Sequence, residues 1–458
     1  MPTSYPGVTK FTNGYLLKHG QLVSGDLWVS SETGHIISPQ SAFYSSHLRP
    51  DKTVDLEGRI LSPGFIDVQI NGYHNFDFST PDAEFASKLV DTAQRMIKTG
   101  LTSFVPTVIS TKLEAYRAVL PHLGPPTDDR DASKGCESLG AHIEGPFLSP
   151  VRNGIHNKDV LQEAQSWEDI EECYGADNLR NVRYITAAPE RGAMMSLISD
   201  FVARGIVFSV GHSDATFEQA QSAMAAGATM VTHLFNAMRP FGHRDPGIFG
   251  LLGQSTPSSP VTTPKASRPA SASTSPVRSP RSSRRSSPRS SLSISTTMSE
   301  IEDSERRYRQ PFFGLIADGI HLSPQTLRIA YSSHPEGAIL VTDAQKFAGC
   351  PDGAYSWRGE DRFIKEGKVL KLESNGRIAG SVVDLIDCVN NFKRWTGCGT
   401  AKVLETVTST PAKMLGKDVE SRKGRLEVGM DADLVVLEEG LDGDLTVRQV
   451  WKFGVQVV

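Results

Sequence analysis

The chain has little cysteine and no long apolar run. Its five cysteines are an odd number among 458 residues and show no CxxC or CxxH spacing, which argues against a disulfide framework and a cysteine zinc site. No apolar run approaches the roughly 20 residues that span a bilayer. The N-terminus, MPTSYPGVTKF, lacks the basic-then-apolar pattern of a secretory signal. We therefore expect a cytoplasmic protein with no membrane partner.

An excess of positive charge is also missing, since the net charge is −4. Residues 254–310 hold ten Lys and Arg against four Asp and Glu, so the rest of the chain carries 38 basic and 48 acidic residues. A body with a charge of −10 repels phosphate backbones. The charge balance argues against a nucleic-acid partner and against an anionic membrane surface.

The basic segment 254–310 is rich in Ser, Pro, Thr and Arg and nearly free of large apolar side chains. Such a segment buries too little surface to offset the entropy of ordering, so we predict a disordered insertion. It follows the helix-like run Pro246–Gly253 and precedes a candidate strand. In a barrel, a helix-to-strand loop lies on the face opposite the active site. Deletion of the segment should therefore spare catalysis.

Short β-prone runs occur near both ends of the chain. Strands at the two ends of a chain commonly pair, so we expect residues 1–60 and 410–458 to form one small β-sandwich domain with antiparallel strands. The runs are Tyr15–Leu17, Leu27–Val29, His35–Ile37, Ala432–Leu437 and Val447–Val458.

The middle of the chain, residues 61–409, repeats an order of apolar strand, turn and amphipathic helix. Eight such strands predict an α/β fold, a parallel (β/α)8 barrel of the TIM type. An open doubly wound sheet is the rival, but no GxGxxG follows the first strand. The candidate strands are 60–70, 101–108, 138–147, 182–190, 206–212, 228–237, 313–319 and 338–344, and two of the candidate helices are 82–99 and 216–226.

Polar residues stand at or just beyond the carboxyl ends of these strands, where barrels build their active sites. A glutamate and two histidines there, Glu144, His212 and His233, predict a metal site, although each alone would also suit a structural role. Asp343, at the end of the eighth strand, could move protons as a general acid/base or could orient a ligand histidine. The other polar residues at this edge are Gln69, Asn71, Asn236, Asp318 and His321.

Six ordered motifs resemble the N-acetylglucosamine-6-phosphate deacetylase family, which belongs to the metal-dependent amidohydrolase superfamily. The resemblance covers nearly the whole chain outside 254–310. The motifs are PGFIDVQING (63–72), HIEGPF (142–147), GHSDAT (211–216), THLFNAM (232–238), GLIADGIH (314–321) and LVTDA (340–344).

The resemblance implies a role for particular residues. Glu144, His212 and His233 match the family's metal ligands, Asp343 matches its catalytic acid/base, and His156 is similar to a histidine that polarises the acetyl carbonyl. Arg244 matches an arginine that reaches the substrate phosphate from the neighbouring subunit, which implies a homodimer. Other residues match positions that contact the sugar: Ile155, Asn236, Ala237, Asp318, Gly319, Ile320, His321, Ile378, Ala379 and Gly380.

The implied reaction is hydrolysis of N-acetyl-D-glucosamine 6-phosphate to D-glucosamine 6-phosphate and acetate, in amino-sugar catabolism. The superfamily usually carries HxH after the first strand to hold a second metal, but Gln69 and Asn71 stand there. Amides are poor ligands for transition metals, so we expect one divalent ion per subunit, zinc first, with iron or cobalt as alternatives. His74 lies nearby, but its spacing does not fit a ligand.

Two other functions remain open at this level. The chain could hydrolyse another amide, such as a cyclic amide or an N-acyl amino acid, or it could be a non-catalytic scaffold that keeps the fold. Arg244 and His321 could then be solvent-facing loop residues. The joint presence of Glu144, His212, His233 and Asp343 argues against the scaffold.

Overall fold

The structure is a computed structural model that describes residues 7–40, 49–126, 130–254, 309–357 and 361–458. The insertion predicted at 254–310 lies outside the described residues except at its ends. The chain on the two sides of the insertion comes together, since the side-chain amide of Gln310 donates a hydrogen bond to the carbonyl oxygen of Leu252.

A parallel eight-stranded barrel forms the centre of the described chain, which confirms the predicted fold class. Each strand pairs with the next in parallel register. The first and last strands close it: the amide N–H of Asp343 donates to the Gln69 carbonyl at 2.8 Å, and that of Asn71 to the Ala344 carbonyl at 2.9 Å. The barrel strands, numbered with all strands in chain order, are β6 (Phe65–Ile70), β9 (Leu101–Ile109), β11 (Ala141–Glu144), β12 (Val182–Ala187), β13 (Val207–Val210), β14 (Met230–Val231), β15 (Phe312–Ile316) and β16 (Ala338–Val341).

Helices cover the barrel, and their ends follow local sequence signals. Helix α5 (Phe217–Ala226) begins after Thr216. The Thr216 hydroxyl accepts a hydrogen bond from the backbone N–H of Gln219, and the Gln219 side chain accepts one from the backbone N–H of Thr216, which makes a capping box. It ends at Gly227, whose φ of 117° suits glycine. The α-helices of the described residues are α1 (Phe85–Met96), α2 (Leu113–Val119), α3 (Trp167–Tyr174), α4 (Met194–Ala203), α5 (Phe217–Ala226), α6 (Pro324–Ser333), α7 (Leu385–Thr396), α8 (Thr400–Glu405), α9 (Ser409–Leu415) and α10 (Lys417–Glu420).

Short 3-10 helices link many of these elements. One of them, Gly247–Gly253, stands directly before the gap in the described chain, and β15 begins soon after it. The attachment points of the insertion therefore lie at the amino end of β15, opposite the carboxyl ends of the strands. The 3-10 helices are Ile97–Thr99, Leu120–His122, Ala132–Lys134, Lys158–Val160, Ala176–Asn181, Gly247–Gly253 and Pro335–Gly337.

Strands from both chain ends pair in one sheet around its own apolar core, as expected. In this core the rings of Phe11 and Trp451 meet edge to face with centroids 4.9 Å apart. The expected antiparallel pairing holds for most strand pairs of this sheet. The exception is the first strand, β1, which pairs in parallel with β4 and β5, because crossovers rather than hairpins join it to them. The strands are β1 (Val8–Lys18), β2 (Gln21–Ser30), β3 (His35–Ile37), β4 (Lys52–Asp55), β5 (Ile60–Pro63), β21 (Leu434–Glu439), β22 (Leu445–Lys452) and β23 (Val455–Gln456).

The predicted first barrel strand, 60–70, is two strands. Its first part is β5 of the terminal sheet, and its second part is β6 of the barrel. The chain divides at Gly64, where a Cβ atom would lie 2.0 Å from the Thr102 hydroxyl oxygen. Because every residue on both sides is buried, hydrophobicity alone does not reveal the division. The domain division at residues 60 and 410 stays a prediction.

Buried charges join the terminal sheet to the barrel. The Lys423 amine lies 2.5 Å from Glu137, 2.9 Å from Asp431 and 2.6 Å from Asp433. The Lys452 amine lies 3.1 Å from Glu137 and 2.8 Å from Asp433. The three carboxylates are close enough together to hold a metal, but the two amines supply the positive charge. The cluster is a structural ion-pair network.

The sequence did not predict two small antiparallel sheets at the carboxyl edge of the barrel. The larger one follows β16, and its last strand returns to that edge. There the backbone N–H of Gln345 donates to the Ser381 carbonyl oxygen at 2.8 Å. The strands are β7 (Gly72–Tyr73), β8 (Phe76–Asp77), β17 (Gly353–Trp357), β18 (Asp361–Glu366), β19 (Val369–Leu372) and β20 (Ile378–Ser381), and β10 (Glu137–Ser138) extends the barrel sheet beside β9. Among the described helices, none is long and apolar enough to cross a membrane.

Candidate metal and active site

Glu144, the last residue of β11, meets two histidines at the carboxyl edge of the barrel. Its Oε1 lies 2.9 Å from the Nε2 of His212, just after β13, and 2.9 Å from the Nε2 of His233, just after β14. The two Nε2 atoms are 3.0 Å apart, and all three side chains are buried. The structure thus brings together the three residues that the sequence predicts as metal ligands.

Electrostatics favours the ionised form of the Glu144 carboxylate. Burial raises the pKa of Glu144, but the hydrogen bonds and charges of His212 and His233 outweigh burial and hold that pKa well below its usual range. Burial lowers the pKa of His233, but Glu144 outweighs it and raises that pKa. The Glu144 carboxylate therefore stays ionised in a buried place, where it needs a positive partner.

Second contacts orient His212 and Glu144 as they would in a metal site, whereas the buried Nδ1 of His233 has no hydrogen-bond partner within the described residues. The Nδ1 of His212 lies 2.8 Å from the Arg152 carbonyl oxygen, so Nδ1 carries the proton and Nε2 presents its lone pair. The amide of Gln69 donates to Oε2 of Glu144 at 3.3 Å, which leaves Oε1 for a cation. One carboxylate and two imidazoles with these second contacts fit a divalent transition metal.

The amides that replace HxH make other contacts. Gln69 donates to Glu144, and the Asn71 amide donates to Oδ1 of Asp343 at 2.7 Å. Their carbonyl oxygens, Oε1 of Gln69 and Oδ1 of Asn71, are buried and have no hydrogen-bond partner within the described residues. The two amides therefore act as hydrogen-bond donors to the carboxylates of Glu144 and Asp343.

Three residues of the site have backbone angles that side chains rarely adopt. The φ values are 47° at His212, 28° at His233 and 46° at Asp343. Each residue comes two residues after the end of a barrel strand. Positive φ at a residue other than glycine is uncommon and costs free energy that the surrounding structure must offset. These turns bring the rings of His212 and His233 against Glu144 and the carboxylate of Asp343 against Asn71.

Asp343 is half-buried and poised to exchange a proton. Burial and the charge of Glu144 together raise its pKa to about 6, against the opposing effects of His233 and Asn71. A carboxyl group with a pKa near the working pH is suited to general acid/base chemistry. Gln69 links Asp343 to the trio: its backbone carbonyl accepts the backbone N–H of Asp343 at 2.8 Å, and its side chain donates to Glu144 at 3.3 Å.

His156 lies in the loop after β11 and reaches the same site. Its Nε2 is 3.9 Å from Oε1 of Glu144, and its ring centroid is 4.5 Å from that of His212. The loop crosses His212 at Gly154, where φ is 57° and a Cβ atom would lie 3.1 Å from the His212 ring. Glu144, His156 and His212 have donor atoms within 4.8 Å of one another, so they form a second candidate ligand set.

The sequence interpretation missed His142, which lies one layer below the site. Its ring stacks on Tyr184 at 3.9 Å and hydrogen-bonds to the hydroxyls of Thr107 at 3.0 Å and Thr186 at 2.7 Å. Burial lowers its pKa to about 3, so it is neutral. The period of two along β11 could have revealed it, because residues 142 and 144 share one face of the strand.

The loop after β15 presents a histidine paired with a carboxylate. The Nδ1 of His321 lies 2.6 Å from Oδ2 of Asp318, whose Oδ1 accepts the amides of Ile320 at 2.8 Å and His321 at 2.9 Å. Burial lowers the pKa of His321, but Asp318 outweighs it and raises that pKa. The Asp318 carboxylate therefore favours the protonated form of His321 at the rim of the site.

The other predicted substrate residues differ in exposure. Asn236 and Ala237 are half-buried in the turn after His233, and Ile155 is 54% exposed. Arg244 is exposed on the loop before Gly247–Gly253, so its own chain does not bury it in the site. His74 is exposed and is not part of the trio. In β20, Ile378 is 40% exposed, Ala379 is buried and Gly380 is half-buried.

This barrel and its trio are those of a metal-dependent hydrolase, and comparison with known proteins agrees. The chain belongs to the amidohydrolase family, whose profile matches residues 60–457. It is 37% identical over 436 residues to the N-acetylglucosamine-6-phosphate deacetylase of Bos taurus, which covers 95% of this chain and 92% of that one. It is 36% identical over 452 residues to the enzyme of that name from Danio rerio, covering 98% and 96%. The chain therefore belongs to the N-acetylglucosamine-6-phosphate deacetylase family.

A solved structure supports the fold over the same extent. The crystal structure of N-acetylglucosamine-6-phosphate deacetylase from Pasteurella multocida has a TM-score of 0.74 to this chain at 24% identity, covering 98% of this chain and 99% of that one. The likeness includes the terminal sheet as well as the barrel.

Proposed function

We propose that this protein hydrolyses the acetamido group of N-acetyl-D-glucosamine 6-phosphate, releasing acetate and D-glucosamine 6-phosphate. The observation that carries the proposal is the convergence of Glu144, His212 and His233 beside Asp343, in a chain of the deacetylase family. We place the reaction in amino-sugar catabolism and in the cytoplasm.

Glu144, His212 and His233 would hold one divalent metal, with zinc as the first choice. Such an ion would act as a Lewis acid that lowers the pKa of water towards neutral pH. The carboxylate stays ionised in its buried place, and His212 turns its lone pair inwards because its other nitrogen donates to the Arg152 carbonyl. Gln69 and Asn71 offer no second pair of imidazoles, so the proposal is one ion per subunit.

Asp343 carries the proton between the two bonds that change. It accepts a proton from the attacking water as the oxygen joins the acetyl carbon, and it delivers that proton to the sugar nitrogen as the C–N bond breaks. The Asn71 amide, 2.7 Å from Oδ1, holds the carboxylate in place during both transfers. The His156 ring would donate a hydrogen bond to the acetyl oxygen as its negative charge develops.

His321 and Arg244 would bind the 6-phosphate. The Asp318 carboxylate favours the charged form of His321, which suits a phosphate dianion. Arg244 is exposed, so it can reach the site of a second subunit in a homodimer, where its planar group suits phosphate. The remaining sugar contacts would come from Ile155, Asn236, Ala237, Asp318, Gly319, Ile320, Ile378, Ala379 and Gly380.

The test is acetate release from N-acetylglucosamine 6-phosphate by the purified full chain, with and without a chelator. We expect turnover that the chelator abolishes and added zinc restores. Unphosphorylated N-acetylglucosamine, a cyclic amide and an N-acyl amino acid should be poor substrates in the same assay. Absence of acetate release from the metal-loaded protein would refute the proposal, and so would equal turnover of the unphosphorylated sugar.

A further inference from the structure

Two histidines of the site have different partners at Nδ1. The Nδ1 of His156 accepts the backbone N–H of Ser110 at 3.3 Å and lies 2.8 Å from the Ser110 hydroxyl oxygen. The Nδ1 of His212 lies 2.8 Å from the Arg152 carbonyl oxygen. A backbone N–H can only donate, and a carbonyl oxygen can only accept.

These partners fix opposite tautomers. Because Nδ1 of His156 must accept, it carries no proton, and the neutral ring has its proton on Nε2. Because Nδ1 of His212 must donate, the neutral ring keeps its lone pair on Nε2. Yet both Nε2 atoms face Oε1 of Glu144, at 3.9 Å and 2.9 Å. Position alone therefore admits either histidine as a metal ligand, and protonation separates them.

We propose that Ser110 is a positioning residue that fixes His156 as the Nε2–H tautomer, so that His156 donates a hydrogen bond to the substrate instead of ligating the metal. Its use on an acetyl oxygen rests on the proposed function. The assignment selects Glu144, His212 and His233 over the set Glu144, His156 and His212.

Ser110 is held against both sides of the site. It is the residue after β9, it is 2% exposed, and its hydroxyl also lies 3.3 Å from the carbonyl oxygen of Glu144. Gly145 makes this approach possible, since a Cβ atom there would lie 2.2 Å from the Ser110 hydroxyl oxygen. The glycine of the EGP turn therefore admits the residue that sets the His156 tautomer.

The first experiment measures the tautomers directly in the zinc-loaded full chain labelled with ¹⁵N-histidine. Two-bond ¹H–¹⁵N correlation distinguishes protonated from unprotonated ring nitrogens, and the His156→Gln variant assigns the signal. We expect His156 to show a protonated Nε2 and an unprotonated Nδ1, and removal of zinc to shift His212 Nε2 far more than His156 Nε2. A protonated Nδ1 on His156, or an Nε2 that shifts with zinc, would overturn the proposal.

The second experiment compares kinetics with metal content. Ser110→Ala removes the hydroxyl that lies 2.8 Å from Nδ1 of His156 and keeps the backbone N–H. We therefore expect kcat to fall about three- to tenfold, the effect of one neutral hydrogen bond, with KM and bound zinc unchanged. His156→Ala should lower kcat by about 10²- to 10³-fold and keep zinc, with His156→Gln in between because its amide can donate. Loss of zinc from His156→Ala would contradict the assignment.

Ser79→Ala is the matched control. Its hydroxyl is also buried, but it accepts the backbone N–H of Ile109 at 3.0 Å, at the end of the same strand, and so contacts backbone instead of His156. We expect wild-type kcat from this variant. A kcat for Ser110→Ala no lower than that for Ser79→Ala would refute a positioning role for Ser110.

The outcomes separate this inference from the proposed function. The NMR and zinc measurements use the protein without substrate, so they decide the tautomer even if N-acetylglucosamine 6-phosphate is not hydrolysed. Conversely, a protein that deacetylates the sugar phosphate while His156 carries its proton on Nδ1 would keep the proposed function and lose this inference.

Discussion

Replacement of Asp343 by asparagine tests the proton transfer with little change in shape. The Asn71 amide donates to Oδ1 of Asp343 at 2.7 Å, and the backbone N–H of residue 343 donates to the Gln69 carbonyl at 2.8 Å. An asparagine oxygen can accept the same amide, and the backbone bond does not depend on the side chain. The substitution therefore removes the basic oxygen and leaves the framework of the site.

The magnitude follows from the loss of one general acid/base. Such groups contribute about 10²- to 10⁴-fold to rate, or about 3–5 kcal/mol at 1.36 kcal/mol per factor of ten. Burial and Glu144 give Asp343 a pKa of about 6, close to the working pH. We therefore expect Asp343→Asn to lower kcat by about 10²- to 10⁴-fold. KM should change little, because the carboxylate acts on the proton and not on the sugar.

The assay is acetate release under saturating N-acetylglucosamine 6-phosphate, with zinc measured on the same sample. Asp444→Asn is the matched control, since Asp444 forms an exposed ion pair with Arg394 at 2.6 Å, far along the chain from the site. The control should retain wild-type kcat. A kcat for Asp343→Asn within a factor of ten of the wild type, at equal zinc content, would refute the role of Asp343.

Four further predictions concern other parts of the molecule. Deletion of residues 255–308 should leave kcat/KM unchanged, because the attachment points lie opposite the site; a folded deletion variant without turnover would contradict this. Lys452→Met should lower the free energy of unfolding in urea by about 3–5 kcal/mol, because it removes a cation from the buried carboxylates of Glu137 and Asp433. Lys10→Met, in a partly exposed ion pair, should cost less than about 1 kcal/mol, and equal losses for the two variants would refute the argument. Burial raises the pKa of Glu137, but Lys423 and Lys452 outweigh it and hold that pKa below its usual range, so its contribution is present above the unfolded value of about 4.3 and is lost as pH falls below it. Urea titrations from pH 7 to 3 should show this loss, and Glu137→Gln should reduce it. His321→Gln should raise KM for the 6-phosphate and leave the weak turnover of the unphosphorylated sugar unchanged; equal effects on both would exclude a phosphate contact.

The barrel could be predicted because its signal is repeated along the chain. Alternation of apolar strands and amphipathic helices is a local pattern, and a capping box at Thr216 or a glycine at 227 marks a helix end with nearby residues only. The edge of the sheet that carries the chemistry follows from the same pattern, since parallel strands all end on one side. The strand pattern alone therefore assigns four residues to one edge of the barrel: Glu144, His212, His233 and Asp343.

Strand bounds were less accessible to sequence. The run 60–70 is buried throughout, so nothing in its hydrophobicity shows that Gly64 divides it between two sheets. The close approach of Thr102 and the pairing with β21 decide that division, and both partners are distant in sequence. The parallel pairing of β1 with β4 and β5 likewise depends on which strands meet in space.

The sequence by itself determined the fold class, the edge of the barrel that carries the site, and the residue types gathered there. Those features come from local periodicity and from residue chemistry, which the order of amino acids contains. The tertiary structure alone decided which atoms face each other: Gln69 on Glu144, Asn71 on Asp343, and the Ser110 N–H on His156. A hydrogen bond has a direction and a length near 3 Å, so its partner, and hence a histidine tautomer, is set only when strands distant in the chain are packed together.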